Sequence, residues 1–338
     1  MIGDVWTGNR PVDRAVRIAL APAERAYQGI VALRGALYDA GIIRARRSHI
    51  AAISVGNLTV GGTGKTPVSA WIAARLSDIG MTPAIVLRGY GGDEPLVHAR
   101  LNKSIPVIVN KDRVAGIREA ALAGANVVVL DDAFQHRRAA RDIDVVLVSA
   151  DQWTGSHRLL PAGPWREPLS AIRRASIAII TRKIASDSQR DAVSAAISDA
   201  APLIPQAVVR LIPAGLVRAD DEDSTQPLSH LRGKRVLAVA AVGNPGAFVR
   251  QIEALGAVVV PHLFPDHHAF SRADIAAIVV PGEGADIALC TLKDAVKLAA
   301  LWPADAPPLW YVSQLLEVES GTVAIDDILK RLKRALPL

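Results

Sequence analysis

The residues best suited to chemistry lie in a glycine-rich segment, SVGNLTVGGTGKTP, at residues 54–67. Glycines let backbone N–H groups converge on phosphate oxygens, and the start of a following helix adds partial positive charge. Lys65 would then reach the β- and γ-phosphates of a nucleotide, and Thr66 would offer its hydroxyl to Mg²⁺. The predicted nucleotide contacts are Thr59, Val60, Gly61, Gly62, Thr63, Gly64, Lys65 and Thr66.

A pair of carboxylates, Asp131 and Asp132, follows the apolar run Val127–Leu130. A nucleotide loop of this kind needs a carboxylate at the end of a neighbouring strand to hold the metal ion and its water. Paired aspartates after a strand also occur as helix caps. With the glycine-rich segment present, we predict that both aspartates serve the metal ion.

Three further polar segments follow predicted strands. RGYGGDEP spans 88–95, FQHRR spans 134–138 and WREP spans 165–168. Ligands of open α/β sheets bind beyond the carboxyl ends of the strands, so these segments fall where a substrate or phosphate would lie. A carboxylate in the first segment could act as general base on a hydroxyl group, and a solvated turn is an equal alternative from spacing alone.

A histidine pair lies far downstream, in FPDHH at 264–268. Neighbouring histidines point in different directions, and no cysteine or suitably spaced histidine completes a metal-binding set. A histidine that pairs with a carboxylate is the more plausible role, because each would set the protonation of the other near neutral pH.

The elements that must position these groups alternate between short β-rich apolar segments and alanine-rich helical ones. That alternation is typical of parallel βαβ units. Past residue 185 it resumes, which predicts a second, smaller α/β unit entered near the acidic stretch 219–227. The predicted strands are Ile50–Val55, Pro83–Leu87, Val107–Val109, Val127–Leu130, Val145–Ser149, Ile177–Thr181, Val208–Leu211, Arg235–Ala240, Val258–His262, Ile287–Cys290 and Trp310–Tyr311. The predicted helices are Pro67–Ile79, Arg113–Ala123, Pro245–Leu255, Ser271–Ile278 and Leu292–Ala300.

The composition is that of a folded protein of about two domains. The chain has 338 residues, half of them apolar, and 21% are charged, so disorder and collagen-like structure are excluded. Its single cysteine cannot form an internal disulfide, and we therefore expect a cytosolic setting. No apolar run reaches the roughly 18–20 residues of a membrane span, and no signal peptide is recognisable.

The N-terminus is basic. Residues 1–50 hold eight arginines against four acidic residues, which supplies 8 − 4 = +4 of the net charge of +6. Apolar residues recur at helical spacing over residues 11–38, and Pro22 should kink or break that helix. The segment could pack on its own domain, or lie in a membrane interface where its arginines meet acidic headgroups.

Taken together, these segments resemble one family, the tetraacyldisaccharide 4′-kinases of lipid A synthesis in Gram-negative bacteria. The resemblance rests on five blocks that keep their order across most of the chain. They are SVGNLTVGGTGKTP (54–67), RGYGG with GDEP (88–95), VVVLDDAFQHR (127–137), LLPAGPWREPLSAIRRA (159–175) and FPDHHAFS (264–271).

The resemblance implies an enzyme that transfers the γ-phosphate of ATP, with Mg²⁺, to the 4′-hydroxyl of an acylated glucosamine disaccharide 1-phosphate. It assigns Asp93 and His267 as a catalytic dyad, with Lys65 and Arg166 stabilising the transferred phosphoryl group. It places Thr66, Asp131, Asp132 and Glu167 at the metal ion. Its further substrate contacts are Arg88, Tyr90, Arg113, Gln135 and His136.

The resemblance also implies an α/β fold with a P-loop NTPase core, an α/β/α parallel sheet, and a smaller α/β lobe joined by a two-stranded ribbon. The expected parts are a basic N-terminal segment (1–48), the kinase core (49–205), the ribbon (206–218 and 309–318), the smaller lobe (219–308) and a C-terminal helix (319–338). The enzyme would sit peripherally on the cytoplasmic face of the inner membrane. Its partners would be the lipid acceptor and, through the N-terminal helix, an anionic membrane surface, with no nucleic acid and no obligate protein partner.

Two alternative functions stay open from the residues alone. A soluble small-molecule kinase would differ in needing neither an acylated acceptor nor lipid. An ATPase switch acting on a protein partner usually carries a lysine before the paired glycines, where this chain has Val60. The basic N-terminus also invites nucleic acid, but no recognition motif supports that interpretation.

Overall fold

A computed structural model describes residues 5, 6, 8, 10–89, 92–243, 245–279 and 284–335. The chain forms two compact units. Unit 1 contains residues 1–88, 101–210 and 316–338, and unit 2 contains residues 89–100 and 211–315. Unit 2 is therefore built from two segments of the chain that leave and re-enter unit 1.

The sheet of unit 1 is parallel and has the strand order β3-β2-β4-β1-β5-β6-β7. Its strands are β1 (Ala51–Asn57), β2 (Pro83–Leu87), β3 (Val107–Val109), β4 (Val127–Asp131), β5 (Ile143–Ser149), β6 (Ile177–Arg182) and the first part of β7 (Gln206–Arg218). Every residue of β1, β2 and β4 is buried, which explains why their sequences are nearly continuous apolar runs. Each fully buried aliphatic side chain contributes roughly 1.5–3 kcal/mol to folding.

Helices pack on both faces of this sheet. They are α1 (Pro11–Ala19), α2 (Ala21–Asp39), α3 (Lys65–Asp78), α5 (Arg113–Leu122), α6 (Asp187–Ala200) and α10 (Thr322–Ala335), with a 3₁₀ turn at Leu169–Arg174. Helix α10 returns from the far end of the chain and buries Ile325, Leu329 and Leu332 in the same core cluster as Leu76 of α3. The ion pair between Arg75 and Asp326, 2.5 Å long, fixes that packing.

In unit 2 the parallel strands have the order β10-β9-β11-β12. Its elements are α4 (Glu94–Leu101), β8 (Thr225–Gln226), a 3₁₀ turn (Leu228–Leu231), β9 (Arg235–Ala240), α7 (Pro245–Ala254), β10 (Val258–Leu263), α8 (Arg272–Ile278), β11 (Ile287–Cys290), α9 (Leu292–Leu298) and β12 (Leu309–Ser320). Strands β7 and β12 each contain a boundary between the units, at residues 210–211 and 315–316.

The segment Gly89–Arg100, expected in the kinase core, groups instead with unit 2. Arg100 provides the physical reason. Its guanidinium donates to the Ala219 carbonyl at 2.9 Å, pairs with Glu222 at 2.8 Å and lies 5.8 Å from the centre of the Tyr311 ring. These contacts hold α4 on unit 2.

The N-terminal helices attach to unit 1 mainly through polar contacts. Pro22 lies in the first turn of α2, where a missing N–H is tolerated, and the helix breaks at Leu20 as predicted. Tyr27 donates its hydroxyl proton to the Arg166 carbonyl at 3.0 Å, and Arg34 donates to the Gln135 carbonyl at 2.8 Å. The large apolar side chains Val12, Ile18, Ile30, Leu33 and Ile42 are exposed. Within the described ranges, no helix combines the length and the apolar character needed to cross a membrane.

Candidate active site

The glycine-rich loop lies between the end of β1 and the start of α3. Gly61 and Gly64 have φ values of +119° and +83°, a region that side chains with a Cβ rarely adopt, and Gly64 caps α3. Two side chains brace Thr63 within the loop. Asn57 donates to its hydroxyl at 2.8 Å, and the Thr181 hydroxyl donates to its carbonyl at 2.9 Å. These two hydrogen bonds fix the loop backbone in a conformation that suits a phosphate.

Gly56 brings β1 against the loop that follows β4. A Cβ built there would lie 2.6 Å from the Phe134 Cβ and 2.8 Å from its backbone nitrogen. Only glycine permits this approach. It places the glycine-rich loop beside residues 132–138.

Three charged side chains meet at the end of β4, and we call Lys65, Asp132 and Arg166 the Asp132 cluster. Arg166 donates both terminal nitrogens to the Asp132 carboxylate, at 3.2 and 2.8 Å, and the Lys65 ammonium lies 3.9 Å from it. Arg166 also donates to the Asn57 side chain. Burial works to raise the pKa of Asp132, but the charge of Lys65 and the hydrogen bonds from Arg166 outweigh burial and lower it. Two cations are thus arranged around one carboxylate beside the loop.

Asp131 is buried and held from three sides. The Ser69 hydroxyl and the Asp132 amide both donate to its Oδ1, at 3.0 and 2.9 Å, while Arg113 donates to its backbone carbonyl at 3.1 Å. Asp132 has a φ of +48°, a left-handed conformation that aspartate tolerates better than most residues. This turn presents the two carboxylates in succession.

The donor set fits Mg²⁺. Hydroxyl and carboxylate oxygens are its preferred ligands, and in nucleotide sites one or two carboxylates suffice because phosphates and water complete the shell. Thr66 and the two aspartates supply such oxygens beside the loop. Among the residues that the structure describes, no group of three or more acidic, histidine or cysteine side chains is arranged to hold a metal alone.

Three predicted site residues have other partners. The Val60 amide donates to the Pro164 carbonyl at 2.7 Å, which removes it from the N–H groups that can reach a phosphate, and Thr59 bridges to Trp165. Glu167 is buried, and its carboxylate pairs with Arg174 at 2.8 Å. The first two positions fix the edge of the loop.

The predicted substrate contacts fall at different distances from the loop. Gln135 donates to the Asn57 carbonyl at 2.9 Å, so it lines the same corner. Burial, followed by the charge of Arg113, lowers the pKa of His136 and favours the neutral imidazole. Arg88 is exposed after β2, and Tyr90 lies outside the described residues.

In unit 2, the structure brings Asp93 and His267 together although 174 residues separate them. Asp93 is only 2% exposed, and its Oδ2 lies 3.4 Å from the His267 Nδ1. His267 has a φ of +60°, and its amide donates to the Ala241 carbonyl at 3.3 Å. The pair expected from the family resemblance is therefore a contact within one unit.

A buried aspartate that the sequence analysis missed supports the histidine loop. Asp294 accepts from the Ala241 amide at 3.2 Å and from the Thr291 hydroxyl at 2.7 Å, and it pairs with Lys297 at 3.3 Å. Lys297 in turn donates to the His268 carbonyl at 3.2 Å. Lys297 thus anchors the loop that carries His267 directly to α9, and Asp294 anchors Ala241, whose carbonyl accepts from the His267 amide.

Asn57 and Ser69 are two further site residues that sequence reasoning did not single out. Both are fully buried polar side chains, which must find hydrogen-bond partners. Asn57 ends a strand that is otherwise apolar, and Ser69 lies one helical turn after Lys65. A polar residue at each of these positions is the sequence signal that could have identified Asn57 and Ser69.

Three features define a P-loop phosphotransferase. They are a parallel sheet, a glycine-rich loop that leads into a helix, and acidic side chains at the end of β4, the strand beside β1. The family model described as LpxK, tetraacyldisaccharide-1-P 4′-kinase, matches residues 16–93 and 91–333. The chain belongs to this family.

Individual relatives agree with the family match. A tetraacyldisaccharide 4′-kinase from Azoarcus sp. (strain BH72) is 38% identical over 95% of this chain and 93% of its own length. One from Halorhodospira halophila is also 38% identical, over 93% of each chain. The crystal structure of LpxK from Aquifex aeolicus in complex with ATP superposes with a TM-score of 0.74 at 27% identity, covering 94% of this chain and 99% of that one.

Proposed function

We propose that this enzyme transfers the γ-phosphate of ATP to the 4′-hydroxyl of a tetraacylated glucosamine disaccharide 1-phosphate, a step of lipid A synthesis. Membership of the tetraacyldisaccharide 4′-kinase family supports this function. The observation that carries it is the Asp132 cluster, which sets two cations beside a glycine-rich loop. Phosphoryl transfer depends mainly on positioning and charge neutralisation, which such an arrangement supplies.

In this proposal the residues of unit 1 bind the nucleotide. Amides of the loop from Gly61 onward hold the phosphates, and Lys65 and Arg166 stabilise charge on the transferred group. Asp132 keeps both cations aligned before the nucleotide arrives. Thr66, Asp131 and Asp132 would hold Mg²⁺, which neutralises phosphate charge when bound.

Asp93 orients the acceptor hydroxyl and accepts its proton, with His267 holding the carboxylate. The Oδ1 of Asp93 is buried and makes no hydrogen bond to any residue in the described part of the chain, so it can accept one from a substrate. Its Oδ2 faces His267. A contact of 3.4 Å is the kind that tightens when a substrate binds.

Polar residues beside the loop have supporting roles in this proposal. Arg113 positions Asp131 through its carbonyl, and Gln135 holds the end of β1 through Asn57. His136, neutral at physiological pH, and Arg88 are proposed to contact the acceptor.

The N-terminal helices are proposed to bring the enzyme to its lipid. Exposed Val12, Ile18, Ile30 and Leu33 would enter the headgroup region while nearby arginines meet anionic lipids. The enzyme would then act peripherally, on the cytoplasmic face of the inner membrane where ATP is available.

The test is transfer of label from γ-³²P-ATP to tetraacylated glucosamine disaccharide 1-phosphate in detergent micelles containing Mg²⁺. Labelled lipid is expected from the wild type, with none from Lys65→Ala or from reactions lacking the lipid. Equal labelling of a water-soluble, deacylated acceptor would instead indicate a soluble small-molecule kinase. ATP hydrolysis that is independent of any acceptor would indicate an ATPase switch.

A further inference from the structure

A second cationic site lies in unit 1, at the carboxyl end of α2. It is a cavity of about 590 Å³ between that helix end, the segment that follows it and the loops before β5 and β6. Five guanidinium groups line it, those of Arg44, Arg47, Arg137, Arg141 and Arg174, with two carboxylates, Asp39 and Asp144.

The two carboxylates are already neutralised by two of the arginines. Arg141 makes two hydrogen bonds to Asp144, at 3.0 and 3.1 Å, and Arg137 donates to Asp39 at 2.6 Å. Both arginines also donate to backbone carbonyls, so they hold the walls of the cavity. The lining side chains carry a net charge of +3, and Arg44, Arg47 and Arg174 are the arginines that do not pair with these two carboxylates.

Arg174 has donors that the described residues do not satisfy. One terminal nitrogen pairs with Glu167 at 2.8 Å, and the Phe134 ring lies 4.3 Å from the guanidinium carbon. Its Nε and other terminal nitrogen are buried and donate to no residue within the described ranges. A buried donor left without an acceptor destabilises the protein, and an anionic ligand in the cavity would supply that acceptor.

Arg44 and Arg47 supply the exposed side of the site. Both are exposed and both line the cavity, whereas Arg46, between them in sequence, is exposed but does not line it. The backbone amide of Arg46 donates to the Arg138 carbonyl at 2.7 Å, which fixes the segment and directs its neighbours.

We propose that this cavity binds a phosphate monoester. Planar guanidinium groups bind phosphate oxygens through paired, charge-assisted hydrogen bonds. A monoester carries a charge of about −1.5 to −2 at pH 7, which matches the two exposed cations Arg44 and Arg47 and the unfilled donors of Arg174 better than the single charge of a diester does.

The cavity is separate from the nucleotide loop. Helix α2 contacts the Arg166 backbone through Tyr27 and lines the cavity through Tyr38, eleven residues further along. At 1.5 Å per residue these positions lie about 16 Å apart along the helix. One nucleotide phosphate therefore cannot occupy both sites.

Two sources of the phosphate share this chemistry, a lipid headgroup and a soluble phosphate. The first includes the acceptor, which in its family description carries a 1-phosphate; that assignment alone rests on the proposed function. Binding to the cavity does not require turnover, so the site can be tested even if the kinase assay fails.

Arginine footprinting with phenylglyoxal, mapped by peptide mass spectrometry, tests the site directly. The wild-type enzyme is saturated with Mg²⁺ and a non-hydrolysable ATP analogue, so that the nucleotide loop is filled, and inorganic phosphate or glucosamine 1-phosphate is added. We expect the modification of Arg44 and Arg47 to slow while that of Arg46 is unchanged. Equal protection of all three, or of none, overturns the proposal.

A variant pair sharpens the result. Arg44→Ala/Arg47→Ala should weaken binding of the sugar phosphate at least about tenfold by calorimetry, because it removes charge-assisted hydrogen bonds. Arg46→Ala/Arg118→Ala removes the same charge from exposed positions outside the cavity and should change binding less than twofold. Equal losses in both variants would show that net charge alone attracts the ligand, which contradicts the site.

Vesicles distinguish the sources. Phosphatidylcholine vesicles with phosphatidic acid, a monoester, are compared with vesicles holding the same fraction of phosphatidylglycerol, a diester. A preference for phosphatidic acid that disappears in Arg44→Ala/Arg47→Ala supports the site with a lipid ligand, and footprinting by soluble phosphate without that preference supports it with a soluble one. Absence of both overturns it.

Discussion

The Asp132 cluster of unit 1 and the Asp93–His267 pair of unit 2 are two polar sites that differ in hydrogen-bond length and in burial. In the cluster, Arg166 makes hydrogen bonds of 2.8 and 3.2 Å to a carboxylate whose side chain is 40% exposed. In the pair, a carboxylate that is almost wholly buried meets its histidine at 3.4 Å. The exposed site is the more highly connected one.

The difference indicates when each site is completed. The phosphate-binding residues are positioned by the protein alone, through Asn57, Thr63 and Ser69, before any ligand arrives. Asp93, the proposed base in unit 2, keeps a buried oxygen without a donor among the described residues, and a hydroxyl substrate would satisfy it. We therefore expect variants of the cluster to change nucleotide handling, and variants of the pair to change the chemical step alone.

The strongest test of that separation is Lys65→Ala. Loss of this ammonium should lower kcat about 10⁴-fold and weaken ATP binding, because the charge acts on the bound and the transferred phosphate. Label transfer measures kcat and calorimetry measures ATP affinity. Lys111→Ala removes an exposed lysine outside the site and should leave both unchanged; a kcat within tenfold of wild type for Lys65→Ala would contradict the assignment.

Asp93→Asn should lower kcat about 10³-fold with ATP affinity within twofold of wild type, since the amide cannot accept the hydroxyl proton. Asp305→Asn, an exposed change in the same unit, is the control. A fall in ATP affinity as large as the fall in kcat would mean that Asp93 also acts in nucleotide binding.

His267→Ala should lower kcat about 10²-fold and leave the ATP KM unchanged, because the imidazole acts through Asp93. It should also alter the pH profile of kcat, which a structural defect would not do selectively. His230→Ala, elsewhere in unit 2, is the control. An unaltered profile would remove His267 from the mechanism.

Lys297→Met sharpens the comparison by loosening the histidine loop without touching the pair. Lys297 anchors the His268 carbonyl and Asp294, so we expect kcat to fall about tenfold with an unchanged ATP KM. The same change at Lys293, on the same helix, should have no effect. The unfolding temperatures of the two variants, measured by calorimetry, check that the difference is not one of folding.

The smallest expected effect concerns acid stability. The lowered pKa of Asp132 means that its ionised form stabilises the fold above the unfolded value of 3.8, and that this contribution is lost as the pH falls below it. The wild-type unfolding temperature should therefore fall more steeply than that of Asp132→Asn between about pH 5 and pH 3. Parallel curves would show that the cluster contributes nothing to stability.

The sequence predicted the elements of the site better than their partners. Strands with continuous apolar runs, such as β2 and β11, were located at their observed bounds, because burial on both faces leaves an unambiguous pattern. Strand β12 was predicted only at Trp310–Tyr311, because its later residues alternate between a packed and an exposed face. The resemblance, not the periodicity, indicated the longer ribbon.

Partners distant in the chain were the part that periodicity could not supply. The pairing of Arg166 with Asp132 depends on how two loops meet, and the placement of α4 on unit 2 depends on one side chain, Arg100. Such contacts leave no local pattern. The phosphate loop was predictable because one continuous segment determines its strand, turn and helix.

The return of α10 to unit 1 has a consequence for synthesis on the ribosome. Ile325, Leu329 and Leu332 complete the core beside α3, yet they are translated only after residues 211–315 of unit 2. The core surface beside α3 therefore stays exposed on the nascent chain while unit 2 is synthesised. Exposed apolar surface of this kind is what chaperones bind. Slow codons after residue 315 would lengthen that exposure, and folding yield in the cell should be sensitive to them.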